Sequence, residues 1–430
     1  MKKITMSAVA LTAIMGSFSS VSAADGMNIL NNVKLDAQIR PRYEMVDDGN
    51  SAHANANAVT ARTKLKVSGN LFDVDGLNAS VGVISVNNFG YHSYDAKDGN
   101  NYTDGTKPYA VVLDPQKAMI SNAEITYKTG DTLLHAGRGQ VNLDNQRFIG
   151  TVGWRQLERS YDSVFVANNS IKNLSVLAAW VYGLQGVGSI PNNKGPLGEH
   201  TYDTNTVLLH AAYTVAPALK VTAYDYMIAS FADTYGIALT GNVKLDVAKL
   251  NYRAEYAHQT DASMKIHDVS RKANADYYNL DLGANFSGIL AGVNYEVLSG
   301  TDMNSNAHRT FSTPLATLHK FNGWADQFLA TPKGGLVDMN VRLGYKAKDI
   351  GKFLVVYHTF TTDKNMLNAN GGATDDLGSE IDALYANKIP GVKNLSGLLK
   401  YANYSGGSVV GHTNDVTKFW AMVDYKFSTK

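Results

Sequence analysis

The sequence predicts an all-β fold: a transmembrane antiparallel β-barrel of about 18 strands with no N-terminal plug domain. Three observations predict it. Short runs of alternating polar and apolar residues recur from about residue 32 to the end. No stretch supplies the roughly twenty apolar residues that a membrane helix needs. Finally, the connections between runs alternate between long and short.

The N-terminus comes first. Lys2 and Lys3 precede an apolar stretch from about Ala8 to Phe18, and Val21-Ser22-Ala23 places small residues where signal peptidase reads them. Residues 1–23 read as a signal peptide and 24–430 as the barrel. Only a closed barrel then spans a membrane, because open sheet edges leave backbone groups unsatisfied in lipid.

The first strand, 32–46, contains Lys34-Leu35-Asp36-Ala37-Gln38-Ile39-Arg40-Pro41-Arg42-Tyr43-Glu44-Met45, polar at even positions and apolar at odd ones apart from a proline. Side chains of a strand point alternately to two faces, so this segment has one wet and one greasy face. The second, 59–72, repeats the pattern with Arg62, Lys64, Lys66 and Asn70 against Leu65 and Val67. Further runs follow at 77–89, 118–128, 132–138, 154–167, 172–183, 205–215, 218–229 and 234–244. The run 247–259 alternates Lys249, Asn251, Arg253 and Glu255 with apolar neighbours such as Tyr252, and 276–286 sets Asp281 between Leu280 and Leu282. After 288–300, the run 336–347 places Asp338, Asn340, Arg342 and Lys346 opposite Val341, Leu343 and Tyr345. The last four are 351–361, 378–387, 394–405 and 416–427, the final one with Phe419, Val423, Tyr425 and Phe427 on one face. Connections after odd-numbered runs are mostly long, including 90–117, 139–153 and 301–335, and those after even-numbered runs are short. Outer-membrane barrels show this asymmetry, with long external loops and short periplasmic turns.

Composition fits. The 430 residues include 24 Tyr and 14 Phe but no Cys, which excludes disulfides and thiolate metal sites. Removing Lys2 and Lys3 takes the formal charge from +1 to −1, which favours no particular partner and gives no ground for nucleic-acid binding. Charges cannot face hydrocarbon cheaply, at about 2–4 kcal/mol for Lys or Arg at the midplane, so the polar face is the lumen. Tyr and Phe near strand ends read as interfacial girdles. The basic residues of the first two strands either make one lumen wall electropositive or pair with inward acids as filler.

Two stretches go beyond a generic barrel. The first runs Gly137-Arg138-Gly139-Gln140, then Leu143-Asp144-Asn145-Gln146-Arg147-Phe148-Ile149-Gly150, Gly153-Trp154-Arg155-Gln156 and Ser160-Tyr161-Asp162. The second runs His319-Lys320-Phe321-Asn322-Gly323-Trp324-Ala325-Asp326-Gln327-Phe328 to Thr331-Pro332 and Gly335-Leu336-Val337-Asp338. With Arg40-Pro41-Arg42-Tyr43-Glu44 and Ala61-Arg62-Thr63-Lys64-Leu65, they resemble the alginate export family of outer-membrane porins. The resemblance implies an arginine-lined lumen passing an anionic polysaccharide, with Arg40, Arg42, Arg62, Arg138, Arg147, Arg155 and Arg159 along the conduit. Lys64, Arg253 and Arg342 join them from face assignment. Inward acids such as Glu124, Glu158, Asp338 and Asp382 dilute that field. The long 301–335 loop, with Trp324, Asp326 and Phe328, either folds into the lumen to narrow it or lids its mouth, since unstructured loops of this length are usually functional.

No nucleophile elbow, zinc helix or phosphate-binding loop occurs, and no motif implies a cofactor. Asp47-Asp48 and Asp375-Asp376 are either calcium-holding loop acids or solvated turn residues. With eleven His and many Asp residues chance pairs are inevitable, and His258 with Asp261 and His319 with Asp326 are the candidate acid–imidazole pairs for barrel-borne catalysis. The expected function is passive passage of polar or anionic solutes across the Gram-negative outer membrane. The partners it implies are membrane lipid, the assembly machinery, and the solutes or a polysaccharide. The alternatives are a dedicated exporter of an anionic exopolysaccharide and, further off, a barrel enzyme or adhesin.

Overall fold

The computed structural model describes residues 21–22, 28–98, 100, 102–186, 201–266, 272–305 and 309–429. Most of the segment read as a signal peptide, 1–20 and 23, therefore lies outside the described residues, as does 187–200.

Eighteen antiparallel strands form one closed sheet among the described residues: β1 (Asn28–Asp47), β2 (Ala56–Leu71), β3 (Leu77–Asn87), β4 (Lys117–Thr129), β5 (Thr132–Gly139), β6 (Ser160–Asn168), β7 (Leu174–Gln185), β8 (Thr201–Ala216), β9 (Leu219–Ile228), β10 (Ala232–Lys244), β11 (Lys249–Thr260), β12 (Asn274–Phe286), β13 (Ile289–Ser299), β14 (Gly335–Ala347), β15 (Gly351–Leu367), β16 (Ala373–Lys388), β17 (Leu395–Ser405) and β18 (Val416–Ser428). Each pairs with its neighbours in sequence, and β18 closes on β1 from Asp36 opposite Ser428 to Asp47 opposite Thr417. Closure removes the free edges that a membrane would penalise. No helix among the described residues is long and apolar enough to cross a membrane.

Pleating does the sorting. On β2 burial alternates from Ala56 to Arg62, so Thr60 and Arg62 point inward. On β12 and β14, Leu282 and Leu343 remain 60% and 64% exposed while their inward neighbours carry the charges. A ring of large apolar side chains turned out of the barrel is what a lipid-facing wall requires.

The expected strand order is observed, with shifted ends. The sixth strand begins at Ser160, not 154, because residues 154–159 fold inward instead of joining the wall. β15 and β16 extend beyond the expected ends, shortening their connection to 368–372. The main hydrophobic cluster lies inside the ring. Val141, Phe148, Ile149, Phe311, Leu315, Ala325 and Phe328 from two loops pack against inward residues such as Tyr161, Tyr277, Tyr404 and Trp420. The core of this molecule is therefore its filled lumen.

Candidate functional site

Two connections, 140–159 after β5 and 300–334 after β13, build the interior. The first folds on itself through the Asn142 carboxamide oxygen, which accepts from the Thr151 N–H at 3.0 Å and its hydroxyl at 3.1 Å. Left-handed backbone at Asp144, Gln146 and Val152 gives its tight turns. The two loops then bond to each other. Gly150 N–H donates to the Leu315 carbonyl at 2.8 Å, Thr317 N–H to the Gln146 carbonyl at 3.0 Å, and Arg159 Nη2 to the Pro314 carbonyl at 3.0 Å.

One end of the first loop is apolar. The Phe148 ring lies 5.2 Å from Tyr224 of β9, 5.3 Å from Tyr277 of β12 and 6.0 Å from Phe311. Beside it, Arg147 grips Glu296 of β13 with two bonds of 2.8 and 3.0 Å and donates to Asn322 at 3.1 Å. Fork-on-carboxylate geometry makes this a strong, directional contact.

The other end is charged and reaches β1 and β2. Arg155 bridges Glu44 at 3.0 Å and Asp326 at 2.9 Å. Arg40 donates to the Gln156 side chain at 3.1 Å and the Arg155 carbonyl at 2.6 Å. Arg42 donates to the Trp154 carbonyl at 2.8 Å and pairs with Asp114, which also accepts from Gln156 N–H at 2.8 Å. Glu158 takes Arg62 at 2.9 Å together with Lys64. β1 and β9 stand eight strands apart around the ring, so residues 147–158 cross the lumen as a chord.

The second loop lies along β16, β17 and β18. Trp324 and Ala325 N–H groups donate to Asp382 at 3.2 Å and Glu380 at 2.7 Å. Gly323 has a φ of +83°, and a side chain there would collide with the Glu380 carboxylate. Phe328 packs on Phe360 at 4.6 Å. Asp326 gathers Arc-wise contacts from Arg155, from Lys418 at 3.1 Å and from His319 at 2.7 Å. Burial pushes the Asp326 carboxyl up, but His319, Lys418 and Arg155 together hold it well below the usual range. At Asp114 burial is likewise outweighed by Arg42, Arg155 and the Gln156 N–H, which keep that carboxyl lowered.

The remaining expected positions lie apart from the chord. Arg138 pairs with Asp162 at 2.6 and 2.7 Å, Arg253 with Glu255 at 2.7 Å, and Arg342 with Asp281 at 2.6 Å. His258 and Asp261 do not pair with each other. His258 bonds Asp276 at 2.8 Å and Asp261 takes Lys272 at 2.7 Å, because β11 ends between them and the chain turns away. Asp48 pairs with His53 at 2.6 Å and Asp376 accepts from Gly378 N–H at 2.9 Å; no group of three or more His, Asp or Glu among the described residues is placed to hold a metal.

The sequence reading missed Tyr224, Tyr226, Tyr277, Glu296, Lys400, Lys418 and Asp114. Parity carried a signal for the first two: on β9 they share a face with Thr222, which is inward. Assigning tyrosines to girdles overlooked it.

No family model matches the chain, and none of the curated proteins does. Solved structures do. OccAB4 of Acinetobacter baumannii superposes with a TM-score of 0.69 at 15% identity, covering 93% of this chain and 99% of that one. OccAB2 of the same organism gives 0.70 at 16%, covering 94% and 99%. OccK8 (OprE) of Pseudomonas aeruginosa gives 0.67 at 14%, covering 94% and 100%. At such identities the likeness establishes the fold, an 18-stranded barrel, over nearly the whole length. It also corrects the resemblance drawn from the loop motifs: the structural neighbours are Occ and Opd outer-membrane porins, not alginate export proteins.

Proposed function

We propose that the chain is an outer-membrane porin, a passive channel for small polar solutes narrowed by its own loops. One observation carries this reading: within a closed 18-stranded ring, the segment 147–158 crosses from β9, β12 and β13 to β1 and β2 and is bonded at both ends. Rings of sixteen to eighteen strands enclose an aqueous lumen. A chord bonded at both ends narrows that lumen, which favours small solutes over a polymer. The fold shared with the Occ and Opd structures supports a channel rather than an enzyme. Arginines 40, 42 and 62 bias the passage toward anions to the extent that Glu44, Asp114 and Glu158 leave their field uncancelled.

The test is conductance of the purified chain in planar bilayers. Discrete current steps are expected, growing when loop 300–334 is shortened; absence of steps sinks the reading. Orientation follows from labelling, because the chain has no native cysteine. A cysteine at Asn370, in a connection after an odd strand, should react with an impermeant reagent on whole cells. One at Asp75 or Asp131, in the short turns, should not.

A further inference from the structure

One ionisable group in loop 300–334 has no task in simple diffusion. His319 occupies the short 3-10 turn Leu318–Lys320 and is buried. Its Nδ1 lies 2.7 Å from Asp326 Oδ1 and its Nε2 2.7 Å from Nζ of Lys400 on β17. Its ring stacks on Trp154 of the other loop at 4.6 Å and meets Trp420 of β18 edge-on at 5.6 Å. The Lys400 nitrogen in turn sits 3.8 Å from the Trp324 ring and 4.4 Å from the Trp154 ring. A single imidazole therefore touches both inward loops and two wall strands.

The contacts dictate its protonation. Nδ1 faces a carboxylate and donates, so Nε2 is the acceptor for the lysine amine. The His319–Lys400 pair carries one proton beyond the neutral forms. A second would set two cations donor to donor inside a site closed by three indoles, where charge repulsion is poorly screened.

We propose that His319 is an acid-released latch: on taking up a proton it detaches the paired loops from β17 and β18 and widens the constriction. The widening matters for transport only if the channel reading holds; the latch itself does not depend on it. Asp326 of its own loop, Arg155 of the first loop and Lys400 of β17 act on His319 directly, with Lys320 next to it in the chain; around them stand Lys418, paired with Asp326, Glu44, paired with Arg155, and Asp382 and Glu380, which act on Lys400. A second imidazole, His412, stacks on Phe328 of this loop at 5.4 Å.

Burial pushes His319 down to about 3, against the pull of Asp326 and with help from Lys400 and Arg155. A released histidine titrates near 6.5. Between those values this imidazole binds more protons in the open form, so its own contribution favours closure fully above about 6.5 and weakens as pH falls toward about 3. Asp326 and Asp114, both held low, lose their charge only below the ordinary carboxylate range near 4. Burial also lowers His412, so it needs its own control.

The experiment is hydrogen exchange of amides 317–327 in the detergent-solubilised full chain at pH 6.5 and 4.5, corrected for intrinsic exchange, beside bilayer recordings at the same pH values. Protection in the native chain should fall by up to tenfold per pH unit, about 100-fold in all, with conductance rising. His319→Gln keeps a donor and an acceptor but cannot charge, and should stay flat. Lys400→Met removes the opposing amine and should also flatten the response, while His412→Gln should leave it intact. Flat protection in the native chain, or an undiminished fall in His319→Gln, overturns the latch; Lys400→Met decides alone if His319→Gln does not fold. Lost protection without conductance at any pH keeps the latch and removes the channel reading. Conductance with flat protection does the reverse.

Discussion

The two ends of loop 140–159 are anchored by different physics. At one end Phe148 is held among Tyr224, Tyr226, Tyr277 and Phe311, a contact with no charge in the rings themselves. At the other, Arg155, Gln156 and Glu158 are held by Glu44, Arg40, Arg62 and Lys64 through ion pairs and amide bonds. Apolar burial involves no titrating group, whereas buried ion pairs exist only while every partner stays charged. Arg147 and Glu296 pair beside the rings, so the permanent anchor is the aromatic nest itself, and the charged far end is the conditional one. The conditional anchor lies beside His319, where Arg155 and His319 share Asp326.

The largest expected effect tests the permanent anchor. Phe148→Ala removes a buried ring from a dense aromatic nest and should cost about 3–5 kcal/mol of loop stability. Exchange of amides 147–152 should accelerate accordingly, by the same factor at pH 7.5 and pH 4.5. A cost that shrinks in acid would mean that this end also depends on charge, and the contrast between the ends would collapse.

Next is the conditional anchor. Arg155→Ala leaves Glu44 and Asp326 buried with fewer cations and should cost about 3 kcal/mol at neutral pH. Here the sign with pH is opposite to that of an intact pair. The native pairing stabilises above the ordinary carboxylate range and is lost below it, whereas in the variant protonation relieves uncompensated charge. The cost of Arg155→Ala, measured against the native chain, should therefore diminish as pH falls from 7 to 4. An equal cost at both pH values would assign Arg155 a packing role only.

The wall was legible in the sequence because lipid on one side and water on the other impose a period of two. Residues 154–159 were read as strand, yet Arg155, Gln156, Leu157, Glu158 and Arg159 are all buried. Inside a filled lumen both faces of a segment are packed, so the period disappears and no local pattern distinguishes loop from strand. The arginines at 40, 42 and 62 were recognised as inward from parity. Glu158 is also legible as an inward acid, but Gln156 and Asp114 are not, and none of the three pairings is, since these contacts join positions 116, 72 and 96 residues apart. The loop motifs misled on family for a related reason: they recorded a constriction, and constrictions recur in barrels of different families.

The smallest effect concerns selectivity, and the structure moves the place to test it. Replacing Arg40, Arg42 and Arg62 would undo the conditional anchor as well as the field, because each holds the chord. Lys66 and Arg342 offer a cleaner probe. Lys66 lies four residues beyond Arg62 on β2, about 13 Å along the strand, and its ammonium pairs with Glu124 at 2.9 Å with its side chain 29% exposed. Arg342 pairs with Asp281 at 27% exposure. Both are partly exposed and pair with carboxylates of other wall strands, not with a loop. Changing both to Gln should lower the anion-to-cation permeability ratio by no more than about fivefold for each charge removed, since exposed charges contribute about 0–1 kcal/mol each. The change should show in dilute salt and fade toward 1 M, where the screening length falls to about 3 Å. Loop exchange should be unaltered. If the ratio stays fixed even in dilute salt while exchange is normal, the wall charges cancel within their own pairs, and whatever selectivity the channel has resides in the chord.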